Sequence, residues 1–163
     1  MIERFLPDER QASAHTIDYQ KLWQRGIRGL VFDLDNTLGP HRFTEFDKKS
    51  IELVSQLCEQ GFQVACLSNH NGTGREKLQT YLNKKSIRII FNAKKPLPSG
   101  YKKILTLFGF SAEQTAMIGD QLFTDIWGAK RSGFYTILVN PVAPESDPLS
   151  IRARRWLEKL LLR

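Results

Sequence analysis

The sequence predicts a doubly wound α/β fold, a three-layer arrangement with an open parallel sheet between two layers of helices. Three observations carry this. Short runs that are apolar throughout recur along the chain, as expected of parallel strands covered on both faces. Segments with helical spacing separate those runs, which gives right-handed βαβ units. Each main run ends in polar residues, at the edge where open α/β sheets bind their ligands.

The elements follow in order. Leu30-Val31-Phe32 is a strand ending in Asp33. Asp47 to Gln60 is a helix, with Ile51, Val54, Leu57 and Cys58 on one face and Gly61 as its stop. Val64 to Leu67 is a strand ending in Ser68, Gly74 to Leu82 a helix, and Ile87 to Phe91 a strand. Ser99 can cap a helix that carries Tyr101, Ile104, Leu105 and Phe108 and closes at Gly109. Ala116 to Ile118 is a strand ending in Gly119-Asp120; Asp125 to Ser132 is a helix stopped by Gly133. Tyr135 to Val139 is the last strand, ended by Pro141. A terminal amphipathic helix is expected over about residues 148–162, after a catalytic core over about 28–140.

The size suits a single domain spanning 1–163, able to bury a core without disulfide or metal staples. No apolar stretch is long enough to span a bilayer, and the first residues turn polar too early for a signal peptide. Cys58 and Cys66 form no CxxC pair, so a reducing cytoplasmic setting is the default, with peripheral membrane contact open. The net charge of +7 favours an anionic partner, whether phosphate ester, acidic lipid or nucleic acid.

Asp33 and Asp35 stand two residues apart, on one side of an extended chain. If Asp120 and Asp125 converge on them, four carboxylates repel one another in a small volume. An all-oxygen site of this kind suits Mg²⁺, and the cation with Lys95 would bring the site near neutrality for a phosphate. One aspartate could then attack phosphorus to give an aspartyl-phosphate, and its neighbour could protonate the leaving alkoxide and later deprotonate water. Ser68, with Asn69 beside it, and Lys95 are candidates to hold the phosphoryl oxygens.

Asp33-Leu34-Asp35-Asn36-Thr37-Leu38 resembles the DxDxT motif of the haloacid dehalogenase (HAD) superfamily. Ser68 resembles its second motif, Lys95-Pro96 its third, and Gly119-Asp120 through Thr124-Asp125 its acidic fourth, all in order. The resemblance implies a Rossmann-type HAD-like fold, Asp33 as nucleophile and Asp35 as general acid/base. It also implies Mg²⁺ on Asp33, the Asp35 main-chain carbonyl and Asp120, with Asp125 as ligand or just behind. Lys94 is the alternative to Lys95. The intervals from Asp33 to Ser68 and from Ser68 to Lys95 leave no room for an inserted cap domain. With Phe5-Leu6-Pro7-Asp8 near the start, the whole chain is similar to the YqeG-type branch of class IIIA HAD phosphatases, which includes phosphatidylglycerophosphatases. That likeness implies phosphatidylglycerophosphate as substrate.

Other readings stay open at this level. The chemistry could serve a phosphoprotein, a nucleic-acid end or a small metabolite, and a basic module of this fold could dock on RNA or ribosomes without catalysis. A receiver domain is disfavoured, because its phosphorylated aspartate lies on a later strand. His70 reads as a loop histidine, Asn71 to Gly74 as a turn before a helix, and Cys66 as inert core. Asp125 could cap the helix after it. In the terminal segment, Leu149, Ala153, Trp156, Leu157, Leu160 and Leu161 share helical spacing, with Arg152, Arg154, Arg155, Lys159 and Arg163 among them. This stripe suits a helix packed on the sheet; the alternative is an interfacial helix that meets anionic lipid.

Overall fold

The computed structural model describes residues 5–161; Met1 to Arg4, and residues 162–163 at the end of the terminal segment, lie outside them. Six strands form one parallel sheet in the order β1-β6-β5-β2-β3-β4. They are β1 (Glu9–Gln11), β2 (Gly29–Phe32), β3 (Gln63–Leu67), β4 (Arg88–Ile90), β5 (Thr115–Gly119) and β6 (Tyr135–Val139). The helices are α1 (Tyr19–Gln24), α2 (Lys48–Glu59), α3 (Glu76–Lys84), α4 (Pro98–Phe108), α5 (Trp127–Arg131) and α6 (Leu149–Leu161).

Two cores follow from the pleat. On one face, Leu30, Phe32, Val64, Cys66, Ala116 and Ile118 pack with Leu22 of α1, Val54 and Leu57 of α2, and Leu78 and Leu82 of α3. Their alternate neighbours Val31, Ala65, Leu67 and Met117 face the other way, onto Tyr101, Ile104 and Phe108 of α4 and Ala129 of α5. The period of two along each strand thus feeds both helical layers. Burial holds Cys66 well above the ordinary thiol value, as suits an inert core residue.

Several boundaries differ from expectation. β1 is a polar edge strand that hydrophobic patterning passes over. It is anchored instead by Asp8, whose carboxylate accepts from the main-chain N–H (2.9 Å) and hydroxyl (2.7 Å) of Thr136. α1, capped by Asp18, is likewise additional. Helix α4 starts at Pro98 with Leu97 as its cap, not Ser99, because proline fits the first turn without losing a needed N–H. The segment read as one helix from Asp125 opens with a π-helical turn, Leu122–Ile126, and only then becomes α5.

Central strands β2, β3 and β5 deliver their carboxyl ends side by side. The Asp33 N–H still bonds Ile118 O (2.9 Å), and the Ser68 N–H bonds Ile90 O (2.9 Å). Asp33, Ser68 and Asp120 therefore leave the sheet at one edge. Among the described residues, no domain is inserted between β2 and α2 or between β3 and α3.

Candidate active site

Three carboxylates meet at that edge. Oxygens of Asp33, Asp120 and Asp125 lie within 4.8 Å of one another, and all three residues are buried. The Lys95 ammonium bridges two of them, 2.6 Å from Asp33 Oδ1 and 2.7 Å from Asp125 Oδ1. Burial alone would lower this ammonium, but Asp125 and Asp33 hold it above its ordinary value, so it stays charged. Lys94, in contrast, is exposed, which leaves Lys95 as the lysine of the site.

Asp125 reaches the cluster because the π-helical turn folds its chain back: its other oxygen accepts from the Gln121 N–H (3.1 Å). It does not cap α5, whose cap position is Ile126. Gly119 makes room for this turn, since a Cβ there would lie 2.5 Å from Asp125 Cβ.

The expected four-carboxylate cluster is corrected to three. The Asp35 carboxylate turns away, with Oδ1 2.5 Å from Arg75 Nη2 and 2.5 Å from the Arg42 N–H. Alternation in an extended chain would have kept it beside Asp33. However, β2 ends at Phe32, so strand alternation does not extend to Asp35, and Arg75 with the Arg42 N–H holds its carboxylate instead. Of the predicted aspartates, Asp35 is thus the one whose side chain does not join the cluster. It stands at the mouth of the same cleft.

That cleft holds about 260 Å³ and is lined by Asp33, Asp35, Ser68, Lys95 and Thr124, with His41 and Arg42 on one side and Ile151 and Arg154 of α6 on another. The Ser68 hydroxyl oxygen accepts from the His70 N–H (3.1 Å) and keeps its proton to donate. Asn69 clamps the Lys95 main chain, giving its amide N–H to Lys95 O (3.0 Å) and accepting from Lys95 N–H (2.7 Å). Its side chain thereby positions the lysine. His70 also lines the cleft, and burial, then Arg75, hold its imidazole below the ordinary value.

Four contributors lie outside the site residues that the sequence points to. Arg75, fully buried, pairs with Asp35. Arg155 of α6 pairs with the Asp120 carboxylate, donates to Asp120 O (3.1 Å), and lies 2.6 Å from Asp147 Oδ2. Asn36 donates to the other Asp147 oxygen (2.7 Å) and accepts from the Ala143 N–H (2.9 Å), tying the first motif to the chain before α6.

Electrostatics fit a divalent cation. Asp33, Asp120, Asp125 and Asp147 carry four formal negative charges against two on Lys95 and Arg155. Burial, then Asp125, push the Asp120 carboxyl up to about 7 although Arg155 pulls it down. Burial likewise drives Asp33 upward against Lys95, with Asp125 and Asp120 adding to the rise. Two positive charges on a hard ion would relieve both, and the donors are all oxygen.

Comparison with known proteins agrees with this geometry. The family model described as mitochondrial PGP phosphatase matches residues 2–143. The chain is 34% identical to the probable phosphatase YqeG of Bacillus subtilis, over 97% of this chain and 90% of that protein. It is 30% identical to phosphatidylglycerophosphate phosphatase 1, chloroplastic/mitochondrial, of Arabidopsis thaliana over 97% of this chain; it spans 47% of that longer protein. The cobalt-bound deoxy-D-mannose-octulosonate 8-phosphate phosphatase of Haemophilus influenzae shares the fold, with a TM-score of 0.57 at 19% identity, covering 83% of this chain and 77% of that one.

Proposed function

The chain belongs to the mitochondrial PGP phosphatase family of HAD-type phosphatases, and from that premise we propose that it hydrolyses phosphatidylglycerophosphate to phosphatidylglycerol, with Mg²⁺, through an aspartyl-phosphate on Asp33. The observation that carries the chemistry is the Asp33–Lys95–Asp125 bridge beside Asp120 at the open end of the sheet. Residues 28–140 form the catalytic core in this reading, and α6 closes one side of its cleft. The working place is the surface of an anionic membrane on the cytoplasmic side, where the lipid headgroup can enter.

Asp33 attacks phosphorus, and the bond to the glycerol oxygen breaks. Asp35 gives its proton to that leaving oxygen. Arg75 and the Arg42 N–H both hold Oδ1, which leaves Oδ2 for the transfer. Asp35 then takes a proton from water; the water oxygen attacks phosphorus, the Asp33–phosphorus bond breaks, and phosphate leaves. Lys95 and the Ser68 hydroxyl hold the phosphoryl oxygens, and Asn69 keeps the Lys95 loop in place. Asp33, Asp120, Asp125 and the Asp35 carbonyl would hold Mg²⁺, which when bound neutralises charge on the carboxylates and the phosphoryl group.

The test is phosphate release from phosphatidylglycerophosphate in mixed micelles, compared with sugar phosphates, nucleotides and p-nitrophenyl phosphate. The lipid is expected to be strongly preferred, with Mg²⁺ required. Asp33→Asn should fold normally and lose turnover. Preference for a soluble ester overturns the substrate, and substantial activity in Asp33→Asn overturns the nucleophile.

A further inference from the structure

Helix α6 is amphipathic in the inverse sense to a core helix. Its inward side carries Arg154, Arg155 and Glu158 with Ile151. Arg154 bonds Gln121 Oε1 (3.2 Å), and buried Glu158 accepts from the Phe123 N–H (3.0 Å). With the Arg155 pairs to Asp120 and Asp147, these contacts fix the roll of the helix. Its outward side carries the apolar stripe: Leu149 is 79% exposed, Trp156 62%, Leu157 50% and Leu160 48%. Positions 149, 156, 157 and 160 fall within one arc of a helix wheel. Exposed Arg152 and Lys159 flank that arc on one side.

We propose that this outward face of α6 docks on an anionic phospholipid bilayer and sets the catalytic cleft at the headgroup level. The apolar row would enter the interface, while Arg152 and Lys159 meet lipid phosphates. Charge decides for lipid against a second copy of the chain, because pairing two such faces brings like basic flanks together on proteins of net charge +7. No helix among the described residues is long and apolar enough to cross a membrane, so docking on the surface is the mode this helix can provide. Ile151 and Arg154, on the opposite side of the same helix, line the cleft. About one helix width, ~10 Å, therefore separates the docked face from the cleft, and a lipid headgroup reaches the site around the edge of α6. The proposal deepens the phospholipid-substrate reading and rests on it for its purpose; its geometry stands apart.

The experiment is co-sedimentation of the full chain with vesicles of phosphatidylglycerol in phosphatidylcholine, and with phosphatidylcholine alone. Wild type is expected to bind the anionic vesicles and to release as salt rises. The combined Trp156→Ser, Leu157→Ser and Leu160→Ser variant should bind at least about tenfold more weakly. Arg152→Glu with Lys159→Glu should lose about fivefold or more for each residue changed. Both variants should hydrolyse p-nitrophenyl phosphate at the wild-type rate, which certifies their folding. Absent wild-type binding, or unchanged binding of the variants, overturns the docking. So does a wild-type dimer that the apolar variant converts to monomer. Vesicle binding without hydrolysis of phosphatidylglycerophosphate would remove the substrate and leave the docking standing.

Discussion

Without a divalent cation, the protein is expected to lose stability as the medium goes from about pH 5 to about pH 8. Burial, and after it the charge of Asp125, lift the Asp120 carboxyl from 3.8 to about 7. The folded state therefore binds this proton more tightly than the unfolded chain does. The resulting stability is fully present below 3.8 and is lost as pH rises through about 7. At ~1.4 kcal/mol per pH unit, the part of this loss that falls between about pH 5 and about pH 8 is on the order of 3 kcal/mol. Asp33 and Glu158, both raised first of all by burial, act in the same direction. His70 opposes them, because an imidazole held below its ordinary value costs stability as pH falls. The informative comparison is therefore wild type against Asp120→Asn, by urea unfolding in EDTA at both ends of the range. Wild type should lose several kcal/mol more than the variant. Excess Mg²⁺ should flatten the wild-type slope, and at about a hundredfold over Kd it adds about 2.7 kcal/mol. Equal slopes in the two proteins, or equal Mg²⁺ stabilisation of both, would refute the reasoning.

Lys95→Met leaves Asp33 and Asp125 buried without their shared cation, so urea unfolding in EDTA should show a loss of about 3–5 kcal/mol, with turnover abolished; a loss below about 1 kcal/mol would sink the idea that this bridge holds the apo site together. Gly128→Ala places a Cβ 2.6 Å from Tyr101 Oη and 2.9 Å from Pro96 Cα, and the main-chain contact beside Lys95 cannot swing away. It should cost about 1–3 kcal/mol in unfolding free energy and lower kcat, and a neutral result in both would show that α5 can shift without cost.

How much of this was legible follows from where each residue stands. β2, β3, β5 and β6 could be read because strands covered on both faces must be apolar at successive positions. Polar β1 could not, since an edge strand held by Asp8 and Thr136 needs no such pattern. Asp33, Asp120 and Asp125 were legible because the topology sends every strand end to one edge, so order along the chain becomes proximity in space. The direction of Asp35 was not, because β2 ends before it and its carboxylate is held by Arg42 and Arg75, 7 and 40 residues further along the chain. Arg75 and Arg155 stand 40 and 35 residues from their carboxylate partners, and no local spacing connects them.

The terminal helix shows the same limit more sharply. Its periodicity establishes that Leu149, Trp156, Leu157 and Leu160 share a side, but periodicity is blind to which side the protein covers. Burying an apolar stripe is the default, since a helix of this length exposes several large side chains otherwise. Here the opposite side is held by Arg155 between Asp120 and Asp147, and by Glu158 on the Phe123 N–H. Rolling the helix to hide the stripe would break those pairs and strip a partner from Asp120, a residue of the carboxylate cluster. The acidic edge that suits a cation thus also recruits the arginine side of α6. An apolar row left facing outward beside the cleft follows from the same charges that make the site.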